Sequence, residues 1–591
     1  MKYSDLLADW LKSMGYTHCF YVAGGNIMHL LASVSEKMHC IPVVHEVAAG
    51  IATEYFNEVS KQGKAFALVT AGPGLTNIIT AMAGAYLESR ELLVLGGQVK
   101  TADLSHGKLR QRGIQEIAGV DIAGPIAVRS QLVEQIINQA EFAELVLAGS
   151  TGRKGPVFIE LPLDVQGRKI EDPTSLSMVS NMHACAMRIP GQDVIVDLVE
   201  DIRTASRPVL LLGGGISRQT AESVRTRLAE SGVAVMTTWN AADRIGAEHP
   251  YYFGRPNTWG QRYSNLLLQQ ADLIIALGTR LGLQQTGFNW REFAPVGRVV
   301  QVDCDASELN KEHPRLYKAI CGDANEVLQK LLAQSLGEHS AWTRYCADVK
   351  RVLPLVETCN KTDPDYLSPY GLVEYLSSAC RTNDVIIPCS SGSAFTVMMQ
   401  TFSQKTGQLI VTNKGLASMG YGLSGAIGAA FAHIDRRVVL VEGDGGFAQN
   451  LQELGTVAVN KLNLKIFLFD DNGYASIRMT QRNYFGGRYV GCDVSTGLGL
   501  PNWTKLFAAY DIPIMDLRPG FEQDEAFMKS FESEGPAGFL VKVDPEQTYF
   551  PKIMSRVTAS GSMESNPLHH MSPPLDLELA RQVMRYLPED G

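Results

Sequence analysis

Asp444 and Asp471 stand 27 residues apart, each just past a short apolar run. Val438–Val441 leads into Glu442-Gly443-Asp444-Gly445-Gly446, and Leu464–Phe469 into Asp470-Asp471-Asn472-Gly473. Two hard oxygen donors beside a glycine turn at a helix start suit a divalent cation bridging to a diphosphate. Val438–Val441 is too short for a helix and apolar throughout, as a strand buried on both faces is. Between the two runs, "FAQNLQELGTVAVNKL" places Leu451, Leu454, Val457 and Ala458 on one helical face. A right-handed β-α-β crossover brings the carboxyl ends of the two strands to one sheet edge, where open α/β sheets bind ligands. Gly443, Gly445 and Gly446 let the backbone approach such a ligand closely. Strand-end aspartates that merely cap helices are the competing reading.

A third acid has a comparable setting. "CIPVVHEVAAGIATEYF" puts Glu46 between an apolar strand and an apolar helix, where burying a carboxylate is costly without a partner. A capping role at the helix start is the alternative, and His45 reads as a packing residue. In "PCSSGSAF" (388–395), Ser390, Ser391 and Gly392 follow the strand "DVII" and offer small donors to phosphate oxygens.

The elements that must position these groups are α/β units. The fold class expected is α/β, three doubly wound parallel-sheet domains, because strands rich in Val, Ile and Leu alternate with helical patterns three times over. The expected boundaries are 1–170, 191–335 and 366–560, with a polar linker at 171–190 and a tail at 561–591. A length of 591 residues demands several cores. A net charge of −9 gives no footprint for nucleic acid or anionic membrane, so any phosphate must be met locally. The opening "MKYSDLLADWLKSMGY" reads as an amphipathic helix rather than a signal peptide, and no 18-residue apolar stretch exists. Ten cysteines without a CxxC pair imply reduced thiols and a cytoplasmic setting.

"GDGGFAQN…FDDNGY" resembles the diphosphate–metal motif of thiamine-diphosphate (ThDP) enzymes, GDG followed by Asn-Asn. The resemblance implies Mg²⁺ held by Asp444, Asp471 and the Gly473 carbonyl. This chain has Asp-Asp where Asn-Asn is usual, and Asn472 takes the role if the register differs by one. "NKGLASMGYGLSGAIGAA" is similar to the family's GLGxMGFGLPAAIGA segment, implying Leu416 and Ser418 at the cofactor and Met419 as a wedge that bends it. Tyr474 and Ala475 would adjoin the diphosphate. His45-Glu46-Val47-Ala48-Ala49 matches the family's His-Glu-x-Ala-Ala, implying that Glu46 hydrogen-bonds N1′ of the aminopyrimidine and relays a proton. "VTAGPGLTN" places Pro73 and Asn77 beside the pyrimidine, and "VAGGNIMHLL" places Gly24, Gly25 and Asn26 over the reacting carbon.

"VLGGQVKT" and "RQRGIQEIAGVDI" resemble acetolactate synthase stretches, so Gln115 would face a substrate. That branch implies pyruvate as the 2-keto acid donor, decarboxylation, and transfer of the acetyl unit to a second carbonyl acceptor. It also implies a homodimer or homotetramer whose active sites lie at the subunit interface. In the central segment Gly213, Gly214, Gly215, Gly278, Arg280, Asp303, Asp305 and Asp323 resemble positions that hold a structural FAD. A Rossmann-like turn without nucleotide is the alternative, and the chain departs from the pattern there. Gln284 replaces an arginine, and "GRPNTWG" a glycine-rich loop. Near the acceptor, Thr480 stands for a tryptophan and Ile114 for a phenylalanine. A ketone or nucleotide-linked keto-sugar acceptor, met by Arg482 and Arg488, is therefore an alternative. Simple decarboxylation and an inactive regulatory subunit are the others; intact Glu46, Asp444 and Asp471 argue against the last.

Overall fold

The computed structural model describes residues 1–177, 187–557 and 561–588. The expected linker at 171–190 and the end of the expected tail therefore lie partly outside the described residues. Three parallel sheets are distributed over two compact units. One unit comprises Met1–Ala186, Asp384–Ala394 and Val411–Lys542; the other comprises Met187–Asn383, Phe395–Ile410 and Val543–Gly591.

In the first unit, β1 (Tyr16–Tyr21), β2 (His39–Pro42), β3 (Lys64–Val69), β4 (Leu92–Gln98), β5 (Arg129–Leu132) and β6 (Pro156–Pro162) form a sheet of order β2-β1-β3-β4-β6-β5. Every residue of β4 and β6 is buried, as in a parallel sheet covered on both faces. The third sheet gives this unit β12 (Val385–Ile387), β13 (Val438–Gly443), β14 (Leu464–Asp470), β15 (Ile514–Leu517) and β16 (Ala537–Lys542). They run parallel in the order β12-β13-β14-β16-β15. Gly443 is in register with Phe469, so Asp444 and the Asp470-Asp471 pair leave the sheet at the same edge.

The helix Glu46–Val59 joins the two sheets by packing on the helix Tyr421–Ala432. Small residues at the crossing are a steric requirement. A Cβ on Gly428 would lie 2.0 Å from the Ala52 carbonyl oxygen, and one on Gly425 would lie 2.5 Å from the Tyr55 ring. Beside this crossing Arg90 is buried, pairing with Glu54 at 2.7 Å and donating to the Thr412 carbonyl at 2.7 Å.

In the second unit β7 (Pro208–Leu212), β8 (Ala234–Thr237), β9 (Leu273–Leu277), β10 (Arg298–Asp303) and β11 (Lys318–Cys321) adopt the order β11-β10-β9-β7-β8. Its topological switch point lies between β7 and β9, followed by Gly213–Gly215 and Gly278 respectively.

Glu160 lies inside β6, 1% exposed, and accepts a hydrogen bond from Gln98 Nε2 at 3.1 Å. Burial pushes its carboxyl up to about 8. Between its unfolded value and about 8 the native state binds more protons, so stability falls as pH rises through that window. Glu160→Gln removes the titration. Its melting temperature should approach or match wild type near pH 4.5 and exceed it near pH 8.5, by the equivalent of about 2–4 kcal/mol at most. A melting difference that does not change with pH would contradict this.

Candidate active site

The GDG turn is built from the end of β13 and the short helix Asp444–Phe447. Asp444 is 1% exposed, and its two oxygens accept from the backbone N–H groups of Gly445 at 2.6 Å and Gly473 at 2.9 Å. Asp471 is 2% exposed; its Oδ2 accepts weakly from Ser393 at 3.4 Å, while its Oδ1 has no hydrogen-bond donor. Burial and repulsion from Asp471 and Asp470 drive the Asp444 carboxyl well above the usual carboxylate range, and burial raises Asp471 as well. Two buried acids forced upward, one oxygen of them undonated, form a site short of positive charge. The donor set fits a hard divalent cation.

Asn472 takes a left-handed φ of 63°, and its side chain is exposed beside the buried Asp471. Tyr474 N–H donates to the Cys492 carbonyl at 2.8 Å and Ala475 N–H to the Gly473 carbonyl at 3.1 Å, closing the turn. The Tyr474 ring lies where a Cβ on Gly445 would fall, 2.3 Å away, so the turn requires glycine there. Neighbouring loops complete this edge. Ser390 Oγ donates to the Ser418 carbonyl at 2.6 Å, Gly392 has φ 82°, and Leu416 N–H reaches Asn413 at 3.4 Å. Met419 is 38% exposed, with its sulfur 3.7 Å from Gln449 Nε2. Gly443 precedes the short helix and Gly446 packs on Glu442.

Glu46 opens the helix after β2, and its carboxylate accepts from Asn77 Nδ2 at 2.9 Å. Pro73 begins the helix carrying Asn77. Gly24 lies against Thr70, whose hydroxyl receives the Asn26 N–H at 3.4 Å, and the Asn26 carbonyl accepts from Gln166. Gly25 starts a short 3₁₀ turn with open space about it. Gln115 is exposed at φ 66°, and its carbonyl lies where a Cβ on Gly72 would fall, at 2.5 Å. The first-sheet candidates thus follow β1, β2, β3 and β4, and the metal-type candidates follow β13 and β14.

Four carboxylate or guanidinium groups here have no motif signal strong enough to read in advance. Glu453 accepts from the Val44 and His45 N–H groups at 3.1 and 3.0 Å, clamping the turn immediately before Glu46. Glu442, an acid inside an apolar strand, receives the first-turn N–H groups of Gly422 and Leu423. Arg478 donates to the Asp471 and Asn472 carbonyls and lies 3.6 Å from Asp471 Oδ1, offsetting the extra charge that Asp471 brings.

The fourth, Glu116, organises the loop that carries Gln115. Burial would raise its carboxyl, but the N–H groups of Ser105, Arg112 and Gly113 converge on it and hold it at about 2. Glu116→Ala should free this loop. KM for the substrate that Gln115 would face is expected to rise about tenfold or more, the equivalent of one hydrogen bond to a charged group. Proteolytic cleavage between residues 104 and 115 should quicken; wild-type KM and an unchanged digest would refute the anchor.

In the second unit the Gly213 and Gly215 N–H groups donate to the Leu277 and Gly278 carbonyls, so the two glycine turns pack on each other. Gly214 sits near Asn240, and the Arg280 carbonyl accepts from Lys311. Asp303 accepts from the Asp305 N–H, while Asp305 and Asp323 each cap a helix. Among the described residues no helix is long and apolar enough to cross a membrane.

Comparison with known proteins bears on what these two groupings are for. Residues 1–122 match the family model "Thiamine pyrophosphate enzyme, N-terminal TPP binding domain", 195–331 the central domain, and 390–541 the C-terminal TPP binding domain. The chain belongs to the thiamine pyrophosphate enzyme family. Within this family its relatives place it on the acetolactate synthase branch. Acetolactate synthase isozyme 1 large subunit of Escherichia coli (strain K12) is 29% identical over 558 residues, 93% of this chain and 95% of that one. The isozyme 2 large subunit from the same organism is 27% identical over 567 residues, 94% and 99% of the two chains. A probable acetolactate synthase large subunit of Methanocaldococcus jannaschii is 28% identical over 563 residues, 93% of each. The protein is therefore a thiamine-diphosphate-dependent enzyme with the family's three-sheet α/β fold.

Proposed function

We propose that the enzyme decarboxylates pyruvate and transfers the acetyl unit to a second carbonyl compound, with Mg²⁺ as the metal. The observation that carries this reading is the buried, undonated oxygen of Asp471 beside Asp444, at the sheet edge shared by β13 and β14. Asp444, Asp471 and the Gly473 carbonyl would hold the cation, and the loops at Ser390–Gly392 and Leu416–Met419 would meet the diphosphate and bend the cofactor. Thiamine diphosphate, when bound, supplies a carbon nucleophile and an electron sink for loss of CO₂. Glu46 would hold a proton toward the aminopyrimidine, oriented by Asn77. Gly24, Gly25, Asn26 and Gln115 would position the carbonyl groups, and the Glu46 and Asp444 groupings would complete one another across a homodimer or homotetramer interface.

Two departures from the family's pattern favour a second reading. Ile114 is 87% exposed, and Thr480 is exposed with its hydroxyl turned back to the Ser476 carbonyl. Neither supplies the aromatic wall that the resemblance leads one to expect, which leaves room for a larger ketone or a nucleotide-linked keto-sugar near Arg482 and Arg488. Incubation with pyruvate, thiamine diphosphate and Mg²⁺, with and without candidate acceptors, separates the readings by product mass. Acetolactate supports the first, a branched sugar the second; acetaldehyde alone contradicts both. A structural FAD would occupy the β7–β9 switch crevice, and flavin absorbance of the purified protein tests it.

A further inference from the structure

The second unit contains a cavity of about 260 Å³ into which two cations project and no carboxylate does. Arg255, 1% exposed, donates Nε to the Met399 carbonyl at 3.0 Å, Nη1 to Gln404 Oε1 at 2.7 Å and Nη2 to the Phe402 carbonyl at 2.7 Å. These partners are all neutral, and two of its five N–H donors remain. Lys350, in the last turn of the helix Ser340–Val352, donates to the Tyr252 carbonyl at 2.9 Å and keeps two further donors. Burying one cation without a counter-charge is costly, and here the buried Arg255 shares its cavity with the half-buried Lys350 and no carboxylate lines it, which favours an anion. Leu353, Pro354, Leu355 and Phe402 give the lining its apolar part.

We propose that this cavity binds a small aliphatic carboxylate, its head group on Lys350 and Arg255 and its hydrocarbon body against Leu353–Leu355. The volume is below that of drug-sized sites, so the ligand has roughly five to ten heavy atoms. A phosphate would want more donors and no apolar wall. Burial and the nearby Arg255 charge both pull the Lys350 ammonium down. The residues belong to none of the thiamine or metal groupings, so this proposal stands apart from the catalytic reading.

The test uses full-length protein and calorimetric titration with isovalerate, its neutral isostere isovaleramide, and inorganic phosphate. Isovalerate should bind saturably and the amide about tenfold more weakly or worse. Lys350→Met should lose about tenfold in isovalerate affinity, Lys350→Arg should recover most of it, and turnover without added probe should not change. A Lys350→Met melting curve like wild type shows that lost binding is not lost folding; should that variant unfold, Lys350→Gln replaces it. Absence of saturable binding, equal binding of the amide, tighter binding of phosphate, or full affinity in Lys350→Met would overturn the proposal. The last result would place isovalerate in the substrate pocket instead.

Discussion

Glu46→Gln is expected to lower turnover by roughly 10²- to 10⁴-fold, the range for a positioned proton-transfer group. The substitution is nearly isosteric. A glutamine at 46 keeps an oxygen to accept from Asn77 Nδ2, now at 2.9 Å, and keeps the first turn of the helix Glu46–Val59. The backbone clamp on this turn comes from Glu453 through Val44 and His45, and it is untouched. The variant therefore removes a titratable proton and little else. Thermal stability and thiamine diphosphate affinity should stay within a few-fold of wild type, measured by melting and by calorimetry. Asn77→Ala should cost less in turnover, because it loosens the carboxylate without removing it. Wild-type turnover in Glu46→Gln would eliminate the proton-relay role and revive a non-catalytic reading of the chain.

What the amino-acid sequence discloses about this arrangement divides by range. Strand ends are legible because a run such as Val438–Val441 is apolar on both faces and its polar successors mark the sheet edge. The helical face Leu451, Leu454, Val457, Ala458 is legible too, yet the segment is not one helix. It breaks into Asp444–Phe447, a 3₁₀ turn at Leu451–Glu453, and Leu454–Val459. Asn450 turns its amide to the Gly420 carbonyl at 2.7 Å, and Glu453 reaches Val44, 409 residues away in sequence. Periodicity reports burial of a face; it carries no information about a distant acceptor that unwinds the turn. Glu116 and Arg478 were hidden for the same reason. An acid that collects three backbone N–H groups looks, in sequence, like any exposed loop glutamate, and the exposed Gln115 beside it attracts the attention instead.

The Asp-Asp pair also makes the largest binding prediction. Asp444→Asn is expected to weaken metal-dependent retention of thiamine diphosphate on the order of 100-fold or more, since loss of mere outer-shell partners of metal ligands already costs 10- to 100-fold. The asparagine oxygen can still accept from Gly445, but its amide nitrogen cannot accept from Gly473, so the turn loses one hydrogen bond as the site loses the charge of Asp444. Calorimetric titration of the cofactor at increasing Mg²⁺ should show a large loss that added Mg²⁺ only partly restores, measured on variant protein that a melting curve shows to be folded. Chelation of wild type should reproduce the loss reversibly. Asp471→Asn makes the informative contrast. It supplies the residue more usual at this position, keeps an oxygen donor, and relieves a buried charge that Arg478 offsets from 3.6 Å. Arg478 keeps its two carbonyl acceptors, so no guanidinium is stranded. Cofactor affinity in Asp471→Asn should therefore remain within about tenfold of wild type. If Asp444→Asn binds the cofactor as wild type does while Asn472→Ala does not, the cation sits one residue further along the turn and the assignment of Asp444 and Asp471 fails.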